Sequence, residues 1–153
     1  MKYLIALFAI LFCTSFSLAQ SSVSRLLGTW HLESWITGSG APRCSESEGQ
    51  PWGQIIYSED GYMSVQLGCS GIEMPEPESI NSREAVQRVF QRLAGYHGPY
   101  SINESDRTVT HHVRGSSDGS MDGRDLVRIF NFEDTNTISL TTPGGGKLLW
   151  IRK

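Results

Sequence analysis

A chain of 153 residues with 13 basic and 16 acidic side chains is mildly acidic, with a formal charge of −3 at pH 7. Its arginines are scattered and no basic block forms, which excludes the charged face that a general nucleic-acid binder needs. The length suits one ordinary domain rather than two.

The first residues read as an address label. Met1-Lys2 gives a positive start, residues 3–12 are almost wholly apolar, and Ser17-Leu18-Ala19 offers the small residues that a signal peptidase requires. The expected division is therefore a signal peptide over 1–19 and one domain over 20–153, soluble and periplasmic or secreted. The apolar run falls short of the roughly 20 residues that span a bilayer, so no stable membrane anchor is expected. Bulky Phe12 before Cys13 argues against lipid attachment there. With the leader removed, Cys44 and Cys69 remain, and an oxidising compartment permits a disulfide between them. Two free thiols are the alternative; a bridge would contribute about 3–4 kcal/mol in the chain-entropy account. Neither cysteine sits in a zinc-ligand pattern, and neither metal nor cofactor is expected.

From Gly28 onward the chain alternates short β-rich runs with turn residues. Eight strands are predicted, over 29–37, 53–57, 62–68, 99–103, 107–114, 125–132, 137–142 and 147–152, as in an antiparallel barrel or sandwich. Asp60-Gly61 is a hairpin signal, and turns are also expected at 103–106, 134–136 and 143–146. Polar stretches over 39–51 and 69–79 read as long loops, and a bridge would staple them side by side. One amphipathic helix is predicted between Asn81 and Ala94. Asn81 and Glu84 form its capping box, and Val86, Val89, Phe90, Leu93 and Ala94 form its apolar stripe. That stripe either packs on the sheet or lids a barrel opening.

Alternation with period two assigns the faces. Pairing across Asp60-Gly61 places Ile56 with Met63, Val65 and Leu67 inside. Pairing across 103–106 groups Tyr100 and Ile102 with Val109, His111 and Val113, so His111 faces inward and its neighbour His112 outward. A three-residue loop at 134–136, with Asn136 in the left-handed region, collects Phe130, Phe132, Ile138 and Leu140 on one face together with Arg128, whereas an even-numbered loop would group Ile129 with Ile138 instead. An inward guanidinium needs an anionic partner, from a ligand or from an internal acid; the alternative is a solvated arginine at the rim. His111 is either a hydrogen-bonded wall residue or a general base.

Gly28-Thr29-Trp30 opening the first strand and Arg152 closing the last resemble the structural signature of the lipocalins. The indole plugs one barrel end and the guanidinium lies across it, a cation–π contact worth roughly 0.5–2 kcal/mol. The segments 27–30, 54–67, 95–102, 108–113 and 148–152 are similar, in order, to landmarks of the bacterial and fungal lipocalin-like domain family. The resemblance implies an all-β, eight-stranded antiparallel barrel with one amphipathic α-helix. Some fungal members look like isomerases or cyclases acting on natural-product intermediates.

Three functions follow for such a barrel. The first is a carrier of a small hydrophobic or amphipathic ligand, with Arg128, His111 and Tyr100 orienting a polar head and Met63, Val65, Phe130 and Leu140 lining the apolar part. The second is an enzyme in which His111 moves a proton and Tyr100 or Arg128 stabilises an oxyanion. A sheltered His111 beside a carboxylate would mark the enzyme, and one without a partner the carrier. The third is a solid barrel that meets a protein partner through its loops and helix.

Overall fold

A computed structural model describes residues 21–71, 73 and 82–152 of the chain, with the backbone alone at 89, 91 and 92. The expected leader and the Asn81 cap lie outside the described residues. The elements are helix α1 (Ser22–Leu26), strand β1 (Gly28–Ile36), β2 (Pro51–Tyr57), β3 (Tyr62–Cys69), helix α2 (Arg83–Arg92), β4 (Ala94–Asn103), β5 (Thr108–His112), the two-residue β6 (Gly115–Ser116), β7 (Asp125–Phe132), β8 (Thr137–Thr141) and β9 (Lys147–Ile151). Eight of the strands run antiparallel in the order β3-β2-β1-β9-β8-β7-β5-β4, and β4 pairs back onto β3 to close the barrel. β6 adds to β4 through Tyr96↔Ser116 and His97↔Gly115. Closure leaves no long sheet edge exposed.

One expected register is corrected. Tyr57 pairs with Met63 and Ile55 with Val65, so Ile55 and Tyr57 point inward and Ile56 is 36% exposed. The turn at Asp60-Gly61 has three loop residues rather than two. The Ser58 amide donates to Tyr62 O at 2.9 Å, and Gly61 takes φ +83°, a left-handed conformation that costs glycine little. One extra loop residue moves every β2 side chain to the other face. The hairpins β4–β5 and β7–β8 follow their expected registers, Tyr100↔His111 and Phe130↔Leu140. Asn136 is not left-handed, however; among the described non-glycine residues Arg107 holds the positive φ, at 52°.

Antiparallel order puts the start of β1 and the ends of β2, β4, β7 and β9 at one end of the barrel. That end is solid. Trp30, fully buried, donates its indole N–H to Leu26 O of α1 at 2.8 Å. The Arg152 guanidinium lies 4.2 Å from the Trp30 ring centroid and donates to Arg25 O at 2.6 Å and Leu27 O at 2.8 Å. Arg25 stacks on Phe132 at 3.9 Å. Helix α1, which the strand pattern does not announce, is thereby clamped across the opening.

At the opposite end Cys44 and Cys69 form a disulfide with Cα atoms 5.7 Å apart. It ties the β1–β2 connection to the end of β3. Helix α2 follows in the chain and contacts β3. Ser82 caps it by accepting from the Ala85 amide at 3.1 Å. Ala85 is buried, whereas Val86 and Leu93 of the expected stripe stay 41% and 43% exposed. Ala85 lies one turn before Val89, at the border of the expected stripe, and Phe90 of that stripe is half-buried.

Candidate functional site

Above the solid end the barrel opens into a cavity of ≈ 260 Å³. Its apolar wall is built from Trp35, Ile55, Val65, Leu67, Leu140 and Leu148, with Met121 of the β6–β7 loop beside them. The polar groups on the wall come from Tyr96, His111, Arg128, Thr142 and Trp150.

Of the residues expected to meet a ligand, the structure brings Arg128, His111, Val65 and Leu140 together on this cavity. Met63 and Phe130 are inward and buried, 3% exposed each, but belong to the solid end. Tyr100 also lies below the cavity. Its hydroxyl donates to Ser58 O at 3.1 Å, and its ring meets Tyr57 edge-on at 5.1 Å. The side chain that takes the place expected of Tyr100 is Tyr96, four residues earlier on the same strand and the same face. The period-two face of Tyr100 and Ile102, extended upstream through Gly98, contains it. A predicted strand that starts only at Pro99 misses it.

His111 is 1% exposed and sits between two tyrosines. Tyr57 Oη is 2.7 Å from His111 Nε2, and Tyr96 Oη is 2.9 Å from His111 Nδ1. Its partners are thus phenols, neither the carboxylate expected of an enzyme nor the empty surroundings expected of a carrier. Burial, then the charge of Arg128, then His112, lower its pKa to about 3. The imidazole is therefore neutral, with one nitrogen donating and the other accepting. Tyr57 decides which. Its ring is 1% exposed, and among the described residues its hydroxyl has His111 Nε2 as hydrogen-bond partner. If Nε2 carried the proton, the Tyr57 O–H would be a buried donor without an acceptor, at a cost of about 1–3 kcal/mol. Tyr57 consequently donates to Nε2, and His111 Nδ1–H donates to Tyr96 Oη. Burial raises the pKa of Tyr57 well above the ordinary phenol value and raises that of Tyr96 too, the latter opposed by the charge and hydrogen bond of Arg128.

Arg128 is half-buried on β7, opposite Val109. Its Nη1 donates to Val127 O at 2.9 Å. Among the described residues the ion pairs are His112–Asp125 and Lys147–Glu133, so Arg128 has no internal acid as partner. Trp150 is 1% exposed, and its indole Nε1 has no hydrogen-bond partner among the described residues.

Outside the barrel, Ser101 Oγ lies 2.9 Å from His112 Nε2, and His112 Nδ1 lies 2.7 Å from Asp125 Oδ1. The order matches a serine nucleophile, base and orienting acid. The array nevertheless lies on the open outer face of β4, β5 and β7, whose backbone amides are engaged in the strand ladder. Without donors for a tetrahedral oxyanion, a triad loses a factor of about 10²–10³ per missing donor. We read it as a surface hydrogen-bond chain that cross-links three strands.

Residues 27–152 match the lipocalin-like domain family. No curated protein matches the sequence. Among solved structures the chain is similar to an NMR structure of a protein from Burkholderia xenovorans, at 14% identity over 100% of this chain and 99% of that one, with a TM-score of 0.44. The family match runs from the residue before Gly28 to Arg152, taking in the Trp30–Arg152 closure and all the strands that carry the cavity; the chain belongs to the lipocalin-like domain family.

Proposed function

We propose that this protein is an exported carrier whose barrel takes a small apolar or amphipathic molecule with an anionic head. The observation that carries the reading is Arg128, a half-buried guanidinium on the cavity wall with no acidic partner among the described residues. A guanidinium keeps its charge and is stabilised by an anion as its environment dries. The apolar wall opposite supplies the hydrophobic contact. Export is supported by the leader pattern over 1–19 and by the Cys44–Cys69 disulfide, which persists in oxidising compartments. A proton-transfer role for His111 is the weaker reading, because both ring nitrogens are engaged and a group with a pKa of about 3 is a poor base near neutrality.

Native and denaturing mass spectrometry of the protein purified from its own compartment test the reading. The expected result is a small molecule present under native conditions alone, with Arg128→Ala lowering its affinity by about 10- to 100-fold. An empty native spectrum, together with no displacement of an apolar fluorescent probe, would replace the carrier by a barrel that works through its surface.

A further inference from the structure

The polar part of the cavity wall is rich in donors, with the Thr142 hydroxyl engaged by the Gly146 amide, and among the described residues no aspartate or glutamate lines it. Arg128 offers N–H groups. Trp150 Nε1–H is buried and unpartnered among the described residues. Tyr96 is the group whose direction is set from behind. Its oxygen accepts from His111 Nδ1–H, so its own proton cannot turn toward that ring, and the charge of Arg128 acts on it as well. The hydroxyl proton of Tyr96 is left to point into the cavity.

Resting on the ligand-binding reading above, we propose that the chain Tyr57–His111–Tyr96 sets the selectivity of the site. With Arg128 it forms a receptor for a small carboxylate and discriminates against the neutral amide of the same shape. A carboxylate accepts at every lone pair and meets Tyr96 O–H and Arg128 N–H without conflict. A primary amide turns its own donors toward these donors and leaves buried polar groups unpaired, the situation in which sites discriminate most strongly. Size narrows the class. A cavity of ≈ 260 Å³ exceeds the roughly 150 Å³ that holds benzene and falls below the usual range for drug-sized ligands. The ligand is thus a single ring or a short branched chain carrying one carboxylate. Arg43, stacked 5.3 Å from the ring centroid of the wall residue Trp35, keeps a further cation by the site and favours the approach of anions.

Tyr57 provides the sharpest test because it touches His111 and not the cavity. In Tyr57→Phe the ring still packs against Tyr100, but Nε2 loses its donor. With Tyr57 no longer donating to Nε2, neither tautomer is held over the other; wherever the proton moves to Nε2, Nδ1 accepts from Tyr96 and turns the Tyr96 proton away from the ligand. Titration calorimetry with 3-phenylpropanoate, its primary amide and propylbenzene reads the effect in wild type, Tyr57→Phe and Tyr96→Phe. We expect the acid to bind at least about tenfold tighter than the amide in wild type. In both variants that ratio falls at least roughly threefold, toward what Arg128 alone supplies, while the hydrocarbon binds as before. Nitrogen-15 NMR of His111 should find the proton on Nδ1 in wild type and shared between Nδ1 and Nε2 in Tyr57→Phe. A wild-type proton on Nε2, equal binding of acid and amide, or an unchanged ratio in Tyr57→Phe overturns the selectivity proposal, while hydrocarbon binding keeps the cavity reading intact. If none of the three compounds binds, both readings fall.

Discussion

His111 is held neutral by its surroundings, and that has a cost in acid. In the folded chain it stays unprotonated down to a pKa of about 3, with burial the main cause and Arg128 the next. An unfolded histidine takes up its proton near pH 6.5, roughly. As the pH falls between those values the unfolded state binds a proton that the folded state refuses. Stability intact above that upper value is therefore lost progressively below it. Between pH 7 and 5 the loss from this one ring amounts to about 2 kcal/mol, at about 1.4 kcal/mol per pKa unit. Urea melts at the two pH values check it: His111→Gln, which keeps hydrogen-bonding groups but cannot titrate, should flatten this limb. Retention of the full wild-type slope in that variant would locate the acid sensitivity elsewhere. Much at this scale is legible in the sequence. Gly28-Thr29-Trp30 and Arg152 forecast their own contact, and alternation separates inward His111 from outward His112. What is not legible is that the partners of His111 would be Tyr57 and Tyr96. Each tyrosine comes from another strand, and the face of Tyr57 turns on a single extra residue in a loop.

Strand β4 carries the site, and its geometry depends on a glycine. A Cβ built at Gly98 would stand 2.0 Å from His112 O and 3.0 Å from the Arg114 backbone nitrogen. At that point β4 passes the break between β5 and β6, where the chain bulges and the Arg114 amide still donates to His97 O at 2.9 Å. No flexible side chain is available to yield, so Gly98→Ala must push the two backbones apart. It should destabilise by about 1–3 kcal/mol, the range of overpacked sites, and displace Tyr96 from His111. Chemical denaturation measures the first effect and loss of apolar-probe binding the second. An alanine variant as stable as wild type would show that the junction is softer than its contacts imply. The same stretch explains an omission. Gly95 and Gly98 weaken the strand signal around Tyr96, so composition starts β4 at Pro99, whereas pairing with β3 from Tyr62↔Pro99 to Leu67↔Ala94 carries it back to Ala94. Tertiary pairing here overrides local preference. At β2 the misreading has another cause: Asp60-Gly61 fits a two-residue turn, and Gly61 instead sits as the left-handed third residue of a longer one.

The whole molecule divides its interior in two, a filled half sealed by Trp30, Arg152 and α1, and a hollow half toward the disulfide end, with Met121 of the β6–β7 loop on its wall. The hollow half contributes less packing, and the Cys44–Cys69 bridge, spanning 25 residues of sequence, offsets this by restricting the unfolded chain. Replacing both cysteines by serine should lower unfolding free energy by about 3–4 kcal/mol in the chain-entropy account. A change below about 1 kcal/mol in denaturant titrations would mean that the unfolded chain is already compact around this loop. The barrel, its strand number and its closed end are readable from residue alternation and the terminal signature. The volume left open is not, because alternation puts Met63, Phe130, Val65 and Leu140 all inward without telling that the last two face the cavity and the first two do not. The placement of the four indoles gives this division an optical side. Trp35 and Trp150 look onto the cavity, Trp30 is sealed beneath Arg152, and Trp52 stands 37% exposed on the outer wall. Two chromophores thus share their immediate medium with whatever enters the barrel, and the emission colour of the unlabelled protein becomes a gauge of occupancy.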